Sequence, residues 1–305
     1  MPICTIQLVK LSSEKVAVGS RKGERIRRFL EELYRNEEGI FKQLVIASEV
    51  NEPIIRAEKV DGSVLNGTEW DLFLLFSPEL VASNQVERFS EKVYQLKVGI
   101  PSKILQGYRS RSEVLRKEAR EGKPLFSGVD LEDDRWGKGE WLGDDRVSSN
   151  PNDSTQKLQI SPRLVRFGKG LISKGPPYDG PVSMLNLMSF NPGQQAKESY
   201  HKYGREFVKV AGKRGGEAKL VGVVVPPQQQ QQPSTDQHQA HLGWDELSFV
   251  HYPSIKHFID MSADEEYQRI NRVYRLGALK DTTLICTTEI DLSVFSPNRV
   301  SSSRL

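Results

Sequence analysis

Apolar positions in this chain fall into short blocks, and one series of blocks occurs twice. Residues 5–11 (TIQLVKL) form a short apolar run of strand type. Within 23–36, Ile26, Phe29, Leu30 and Leu33 recur at steps of three and four, the spacing that puts side chains on one helix face. Residues 42–50 (KQLVIASEV) supply a second strand, and Trp70-Asp71 opens a third at 72–76. Val93-Tyr94-Gln95-Leu96 is read as part of a second helix, with Lys103-Ile104-Leu105 as the strand after it. The last third answers in the same order. Residues 182–188 (VSMLNLM) match the first strand, and 195–213 match the first helix, with Tyr200, Tyr203, Phe207 and Val210 on one face. Then come 219–225 (KLVGVVV), Trp244-Asp245 with 247–250, Val273-Tyr274-Arg275-Leu276, and Thr283-Leu284-Ile285. The predicted order is strand, helix, strand, strand, helix, strand, twice.

A βαββαβ order is that of the split ferredoxin-like unit, a four-stranded antiparallel sheet carrying both helices on one face. The bare face needs a cover, and two units in one chain can cover each other. The expected fold class is therefore α+β, with two ferredoxin-like βαββαβ repeats, 1–108 and 179–291, forming a single-chain pseudo-dimeric α+β barrel. A length of 305 residues suits two such units. Residues 109–178 are too long for a plain loop and too polar for a core, so they read as a charged connector with one helix near 112–122. Trp136 and Trp141 in that connector either dock on a neighbouring surface or pack loosely. Residues 226–241 (PPQQQQQPSTDQHQAH) cannot bury apolar area and read as a disordered insertion between two strands, while 292–305 reads as a flexible tail.

Charge narrows the partners. Forty-three Lys and Arg against 40 Asp and Glu leave a net +3 spread along the chain, so no field concentrates a polyanion and nucleic acid is disfavoured. No apolar stretch approaches the roughly 18 to 20 residues of a membrane helix. The chain enters a strand at once, without the basic and apolar regions of a secretory leader, so a cytoplasmic protein is expected. Cys4 and Cys286 lack CxxC spacing, which argues against a disulfide scaffold and a cysteine zinc site. His238 and His241 stand near metal spacing but without an acidic or cysteine partner, so no metal is expected. Walker, GxGxxG, GxSxG and HExxH patterns are missing, and no cofactor is expected.

Residues 181–290 resemble a widespread uncharacterised family of the dimeric α+β barrel superfamily. The resemblance is carried by Met184-Leu185-Asn186-Leu187, Tyr200, Tyr203-Gly204, Gly215-Gly216 and Gly222. It continues through Trp244-Asp245, Tyr252-Pro253-Ser254, Phe258, Met261, Tyr267 and residues 275–279 (RLGAL). The first copy keeps the Trp-Asp strand but lacks the Gly-Gly pair and the Tyr-Pro-Ser turn. The resemblance implies a ferredoxin-like sheet with a small pocket. Members of the superfamily include cofactor-free monooxygenases, lactone isomerases, polyketide-modifying enzymes and haem proteins.

Strand alternation puts Met184, Asn186 and Met188 on one face, making Asn186 the polar member of an apolar stripe. A buried amide there either ties down a loop or donates to a ligand oxygen. Asp245, Leu247, Phe249 and His251 share one face of the later strand, and Trp244, Glu246, Ser248, Val250 and Tyr252 the other. His251 is the candidate general base, because imidazole titrates near neutrality; the alternative is a strand-end histidine bonded to backbone or water. Arg275, on the last helix, either forks over a pocket to hold a carboxylate or enolate or pairs with Asp264 and Glu265. Tyr267, Ile270, Asn271, Tyr274 and Ala278 form that helix's inward stripe. Tyr252-Pro253-Ser254 reads as a strand stop with Ser254 capping the next helix, and Gly215-Gly216 as the turn after the first helix.

Two functions are compatible with these residues. In one, the protein binds a small aromatic, lactone or polyketide-like molecule, as a cofactor-independent monooxygenase, isomerase or cyclase would. Its catalytic residues would be His251, Asn186 and Arg275, and its substrate-binding residues Met184, Tyr203, Trp244, Tyr252 and Tyr267. In the other, it is a non-catalytic binding or scaffold protein with a filled core. The two separate on whether His251, Asn186 and Arg275 meet at one cavity.

Overall fold

The computed structural model describes residues 1–16, 21–78, 85–133, 156–226 and 243–295. Trp136, Trp141, His238, His241 and the glutamine tract lie outside the described residues. The protein is a mixed α+β molecule built on eight antiparallel strands: β1 (Ile3–Leu11), β2 (Leu44–Ile55), β3 (Leu72–Phe76), β4 (Ser90–Gly99), β5 (Val182–Phe190), β6 (Glu217–Val224), β7 (Glu246–Tyr252) and β8 (Leu279–Glu289). They pair in the order β1-β3-β2-β8-β5-β7-β6-β4, and β4 pairs back with β1, so the sheet closes on itself. The main helices are α1 (Lys22–Asn36), α2 (Ser102–Arg120), α3 (Pro162–Ile172), α4 (Gln194–Gly212), α5 (Ile255–Ser262) and α6 (Glu265–Ile270); α2 sends Tyr108 into the space enclosed by the strands, and the others pack outside it. Among the described residues no helix is long and apolar enough to cross a membrane.

Side chains alternate between the two faces of each strand, and β3 and β5 are buried along their whole length because both faces are covered. Inward residues such as Ile6, Tyr94, Leu185, Phe249 and Ile285 fill the space enclosed by the sheet, joined by Trp70 and Trp244. Outward residues form two further cores. Val9, Leu72, Leu74 and Phe76 pack under Phe29, Leu30 and Leu33 of α1, while Met184 and Val250 lie under α4, α5 and α6. Each fully buried Leu or Phe contributes about 1.5–3 kcal/mol by leaving water.

The two Trp-Asp pairs do the same work. Asp71 N donates to Val9 O (2.8 Å), Val50 N to Asp71 O (3.0 Å), and Leu11 N to Asp71 Oδ2 (2.9 Å). In the later half Asp245 N donates to Met188 O (2.8 Å), Val224 N to Asp245 O (2.9 Å), and Phe190 N to Asp245 Oδ2 (2.8 Å). Each aspartate thus binds a strand-end amide and joins three strands.

One assignment is corrected. Residues 93–96 belong to strand β4, not to a helix, and 103–105 belong to helix α2, not to a strand. Tyr94, Leu96 and Val98 are buried at period two, and this pattern outweighs the local likeness of VYQL to VYRL. Beyond Pro101, Tyr108, Ser112 and Leu115 are buried at helical spacing, and α2 runs through the boundary at 108–109. The ends of the expected connector also enter the core: Leu131, Leu158, Ile160, Leu164, Val165 and Leu171 are buried. Its average polarity hid the apolar face of α3. Gly168 lets that helix lie against α5, since a Cβ there would meet Ile259 Cδ1 at 2.6 Å.

Candidate functional site

A cavity of about 680 Å³ lies between the outward face of β5, β7 and β6 and the layer formed by α4, α5 and α6. Register builds its floor. Directly opposed residues of an antiparallel pair share a face, and Met184 opposes Val250, Asn186 opposes Ser248, and Met188 opposes Glu246. Tyr200, Tyr203 and Phe207 of α4 form the roof, with Phe258 and Met261 of α5 and Tyr267 of α6. The aromatic rings support one another: Tyr200 and Tyr203 lie 5.3 Å apart between centroids, Tyr203 and Phe207 5.7 Å. Tyr203 and Tyr267 hydroxyls meet at 3.2 Å. At the strand end beside this roof, Gly215 has φ of 75°, and a Cβ on Gly216 would stand 3.1 Å from the Tyr252 ring. The Gly-Gly turn therefore lets α4 return tightly onto Tyr252.

Arg275 reaches the cavity through a local irregularity. After Ile270 the helix widens into a π-helical turn, Asn271–Arg275, closed by Leu276 N donating to Asn271 O (3.0 Å). One extra residue in a turn rotates the next residues by about 100° around the helix axis. Arg275 consequently takes the inward position that a regular helix would have given to Tyr274. It is 2% exposed and lines the cavity. Its Nη1 donates to Gln156 O (3.0 Å) and Asn271 Oδ1 (3.3 Å), while Nε and Nη2 make no hydrogen bond among the described residues. No carboxylate among them pairs with it. Asp264, one expected partner, binds Arg214 Nη2 instead (2.6 Å) and caps α6 through Tyr267 N and Glu266 N. A buried cation without a counter-charge costs several kcal/mol.

Asn186 is oriented for donation. The Thr282 hydroxyl lies 2.7 Å from Asn186 Oδ1 and 2.9 Å from Leu187 O, which turns the amide nitrogen toward the Tyr200 hydroxyl. Burial holds the phenols of Tyr200, Tyr203, Tyr252 and Tyr267 above their ordinary value, so they are neutral donors at physiological pH. Glu246 completes the polar set. Burial raises its carboxyl, an effect opposed by His201 and Lys197, and His201 Nε2 lies 3.8 Å from Glu246 Oε1.

The structure therefore brings Arg275, Asn186, Met184, Tyr203, Tyr252 and Tyr267 to one cavity and leaves two predicted residues outside it. His251 opposes Ser183 and Glu217, with its side chain on the inner face of the sheet. Burial, reinforced by the positive charges of Lys219, Arg111, Arg116 and His257, pushes its imidazole down to about 3, so it cannot serve as a base at the cavity. Trp244 precedes β7, outside the strand's alternation, and turns inward to donate Nε1–H to Tyr94 OH (2.9 Å). Ser254 occupies the N-cap position of α5, yet its hydroxyl meets His257 Nδ1 (2.9 Å) rather than a backbone amide. Glu246 was missed as a site residue, although it shares the strand face of Ser248 and Tyr252 and that parity was readable.

A second polar cluster lies on the inner face. Glu289 accepts from Tyr108 OH (2.8 Å), Ser183 Oγ (2.7 Å), Ser112 Oγ (3.2 Å) and the buried Lys219 ammonium. All its partners are internal, and it ties α2 to the sheet.

No protein-family model matches the chain, and neither does any curated protein. Among solved structures it is similar to a protein of unknown function from Rhodopseudomonas palustris, at 29% identity over 37% of this chain and 84% of that one, with a TM-score of 0.27. The methylated form of that protein matches at 28% identity over 37% and 82% of the respective chains, also at 0.27. Neither resemblance carries a functional argument at that score.

Proposed function

We propose that this protein binds a small organic anion in the cavity beneath α4, α5 and α6, with its carboxylate or enolate oxygen at Arg275. The carrying observation is the buried guanidinium with two unused donor nitrogens and no carboxylate partner among the described residues. Asn186 and the neutral tyrosines would supply further donors to the same oxygen, and the apolar walls would take a hydrocarbon or aromatic body. In an enzymatic version, cofactor-independent and of isomerase, cyclase or monooxygenase type, Glu246 replaces His251 as the group that moves a proton. Its raised carboxyl, beside His201, suits that role. The strand orders of the halves, β4-β1-β3-β2 and β8-β5-β7-β6, and the matching Trp-Asp bonds support two ferredoxin-like repeats of the dimeric α+β barrel type.

Isothermal titration with benzoate, cinnamate and hexanoate tests this reading, using the native chain and Arg275→Met. Binding that weakens at least about tenfold in the variant, the worth of one charge-assisted hydrogen bond, is the expected result. Binding that ignores the substitution, or no binding of any carboxylate up to millimolar concentration, overturns it.

A further inference from the structure

The cavity has an apolar mouth. Among large hydrophobic side chains left in water, Met1 (72% exposed), Val208 (61%), Val223 (47%) and Val221 (43%) all line this one opening. Single exposed hydrophobics are ordinary, whereas four around the rim of a cavity form a continuous apolar surface leading into it. The rim lies over β6 and the outer side of α4, and Arg275 lies at the opposite end, with Leu284 of β8. Between them the row in register runs from Leu284 through Asn186 and Ser248 to Val221, with Met184 and Val250 forming an apolar strip beside it. The buried guanidinium thus stands at one end, and at the other the exposed apolar side chains share the opening with Glu246, His201 and Arg205.

We propose that the ligand is an amphipathic monocarboxylate, its head at Arg275 and an unbranched apolar tail running across the sheet to emerge between Val208, Val221 and Met1. This rests on the anion reading of the cavity given above. Three strand spacings separate β8 from β6, roughly 14 Å, which an extended chain of about ten to twelve carbons spans given C–C bonds of about 1.5 Å. A compact aromatic acid would fill the head end and leave the valines in water. A tail reaching the rim covers them, and this is the arrangement the exposed residues fit.

The test is calorimetric titration of the full chain with linear carboxylates from hexanoate to tetradecanoate, each below its micelle concentration, beside the matching alcohols. Affinity should rise about threefold to fourfold per methylene, the transfer value of a buried CH₂, and level off near twelve carbons as the tail leaves the mouth. Alcohols should bind at least about tenfold more weakly than acids of equal length. Val208→Glu, a change on the exposed side of α4, should weaken dodecanoate and spare hexanoate, with circular dichroism unchanged. If short carboxylates bind in an Arg275-dependent manner but affinity is flat with chain length, the tail proposal fails and the anion reading stands. If no carboxylate binds at any length, both fail. If alcohols bind as tightly as acids, the head assignment is wrong. A dimer in sedimentation that Val208→Glu dissociates, with the chain-length series unchanged, would assign the rim to a second copy of this chain and overturn the proposal.

Discussion

Counted from their Trp-Asp pairs, β3 presents Leu72, Leu74 and Phe76 outward where β7 presents Glu246, Ser248 and Val250. Above β3 the layer is closed by Phe29, Leu30 and Leu33, with Phe29 edge-on to Phe89 at 6.0 Å. Above β7 the helices are held partly by charge. Arg214 Nε donates to Asp260 Oδ2 (2.5 Å), and Asp260 also accepts from Ser127 N (2.9 Å), Ser127 Oγ (2.6 Å) and Phe126 N (2.9 Å). Residues 156–158 form a strap there, their carbonyls accepting from Arg275, Asn271 and Gln268. Leu158 in this strap sits at φ 50°, a left-handed conformation that costs a leucine of order 1–3 kcal/mol. One layer is stabilised by filling it, the other by bracing its perimeter, and the bracing allows an open interior with a buried cation in it.

Breaking each kind of support gives the largest contrast. Phe29→Ala should cost about 3–5 kcal/mol in urea unfolding, independent of pH across the acid range. Asp260→Asn should cost less, about 1–3 kcal/mol, because it strips the buried Arg214 of one of its two carboxylate partners and leaves Asp264 as the remaining counter-charge. The native Asp260 contribution should also titrate. Burial raises this carboxyl, but hydrogen bonds from Ser127, Phe126 and Arg214 outweigh that and hold it below the ordinary value. Its stabilisation is therefore complete above the usual carboxylate range and is lost as pH falls through the depressed folded value. The gap between native and Asp260→Asn stabilities should close in that acid window, and a gap constant with pH would refute the assignment.

Making the second half resemble the first is a milder test. Ser248→Leu copies Leu74 into the cavity floor and should raise unfolding free energy by about 1 kcal/mol through added apolar burial while blocking carboxylate binding in titration. A destabilised variant would mean that the floor is already filled. Glu246→Gln should have the smallest effect. Its carboxyl is raised, so ionisation disfavours the native state, and the penalty grows as pH climbs from the unfolded to the folded value. The variant should be slightly more stable than native above that window and equal below it, as thermal melts at several pH values will report.

Much of this architecture was legible in the sequence. Strand positions are marked by short apolar runs, and the two Trp-Asp pairs mark equivalent corners because each aspartate meets the same strand-end amide. The misreading at 90–105 arose where helical and strand spacings compete over four residues, and Pro101 rather than the apolar pattern marks the change. The site was half legible. Alternation within a strand placed Asn186 with Met184, and Leu247 with His251, but only the pairing of Asn186 with Ser248 decides which face of β7 joins the floor. Register is set by contacts between distant segments, so alternation within β7 favoured the wrong face and put His251 ahead of Glu246. Arg275 depended on the π-helical turn, which no regular periodicity encodes.

The two seams joining the halves differ in length. Between β2 and β8 the pairing runs from Ser48 and Glu289 to Ile55 and Leu284, whereas among the described residues β4 and β6 pair at Val98 with Val224 and Gly99 with Val223, with one further bond from Val225 N to Lys97 O (2.8 Å). The cavity mouth, with Met1, Pro101 and Ile104 beside Val221 and Val223, stands at the shorter seam. Opening it would break few hydrogen bonds, and Arg275 and its strap stand at the other side of the cavity. A ligand held in the proposed orientation would be exchanged tail-first at that seam, so residence time and affinity would be separately adjustable, one by residues at the edge and the other by residues around the guanidinium.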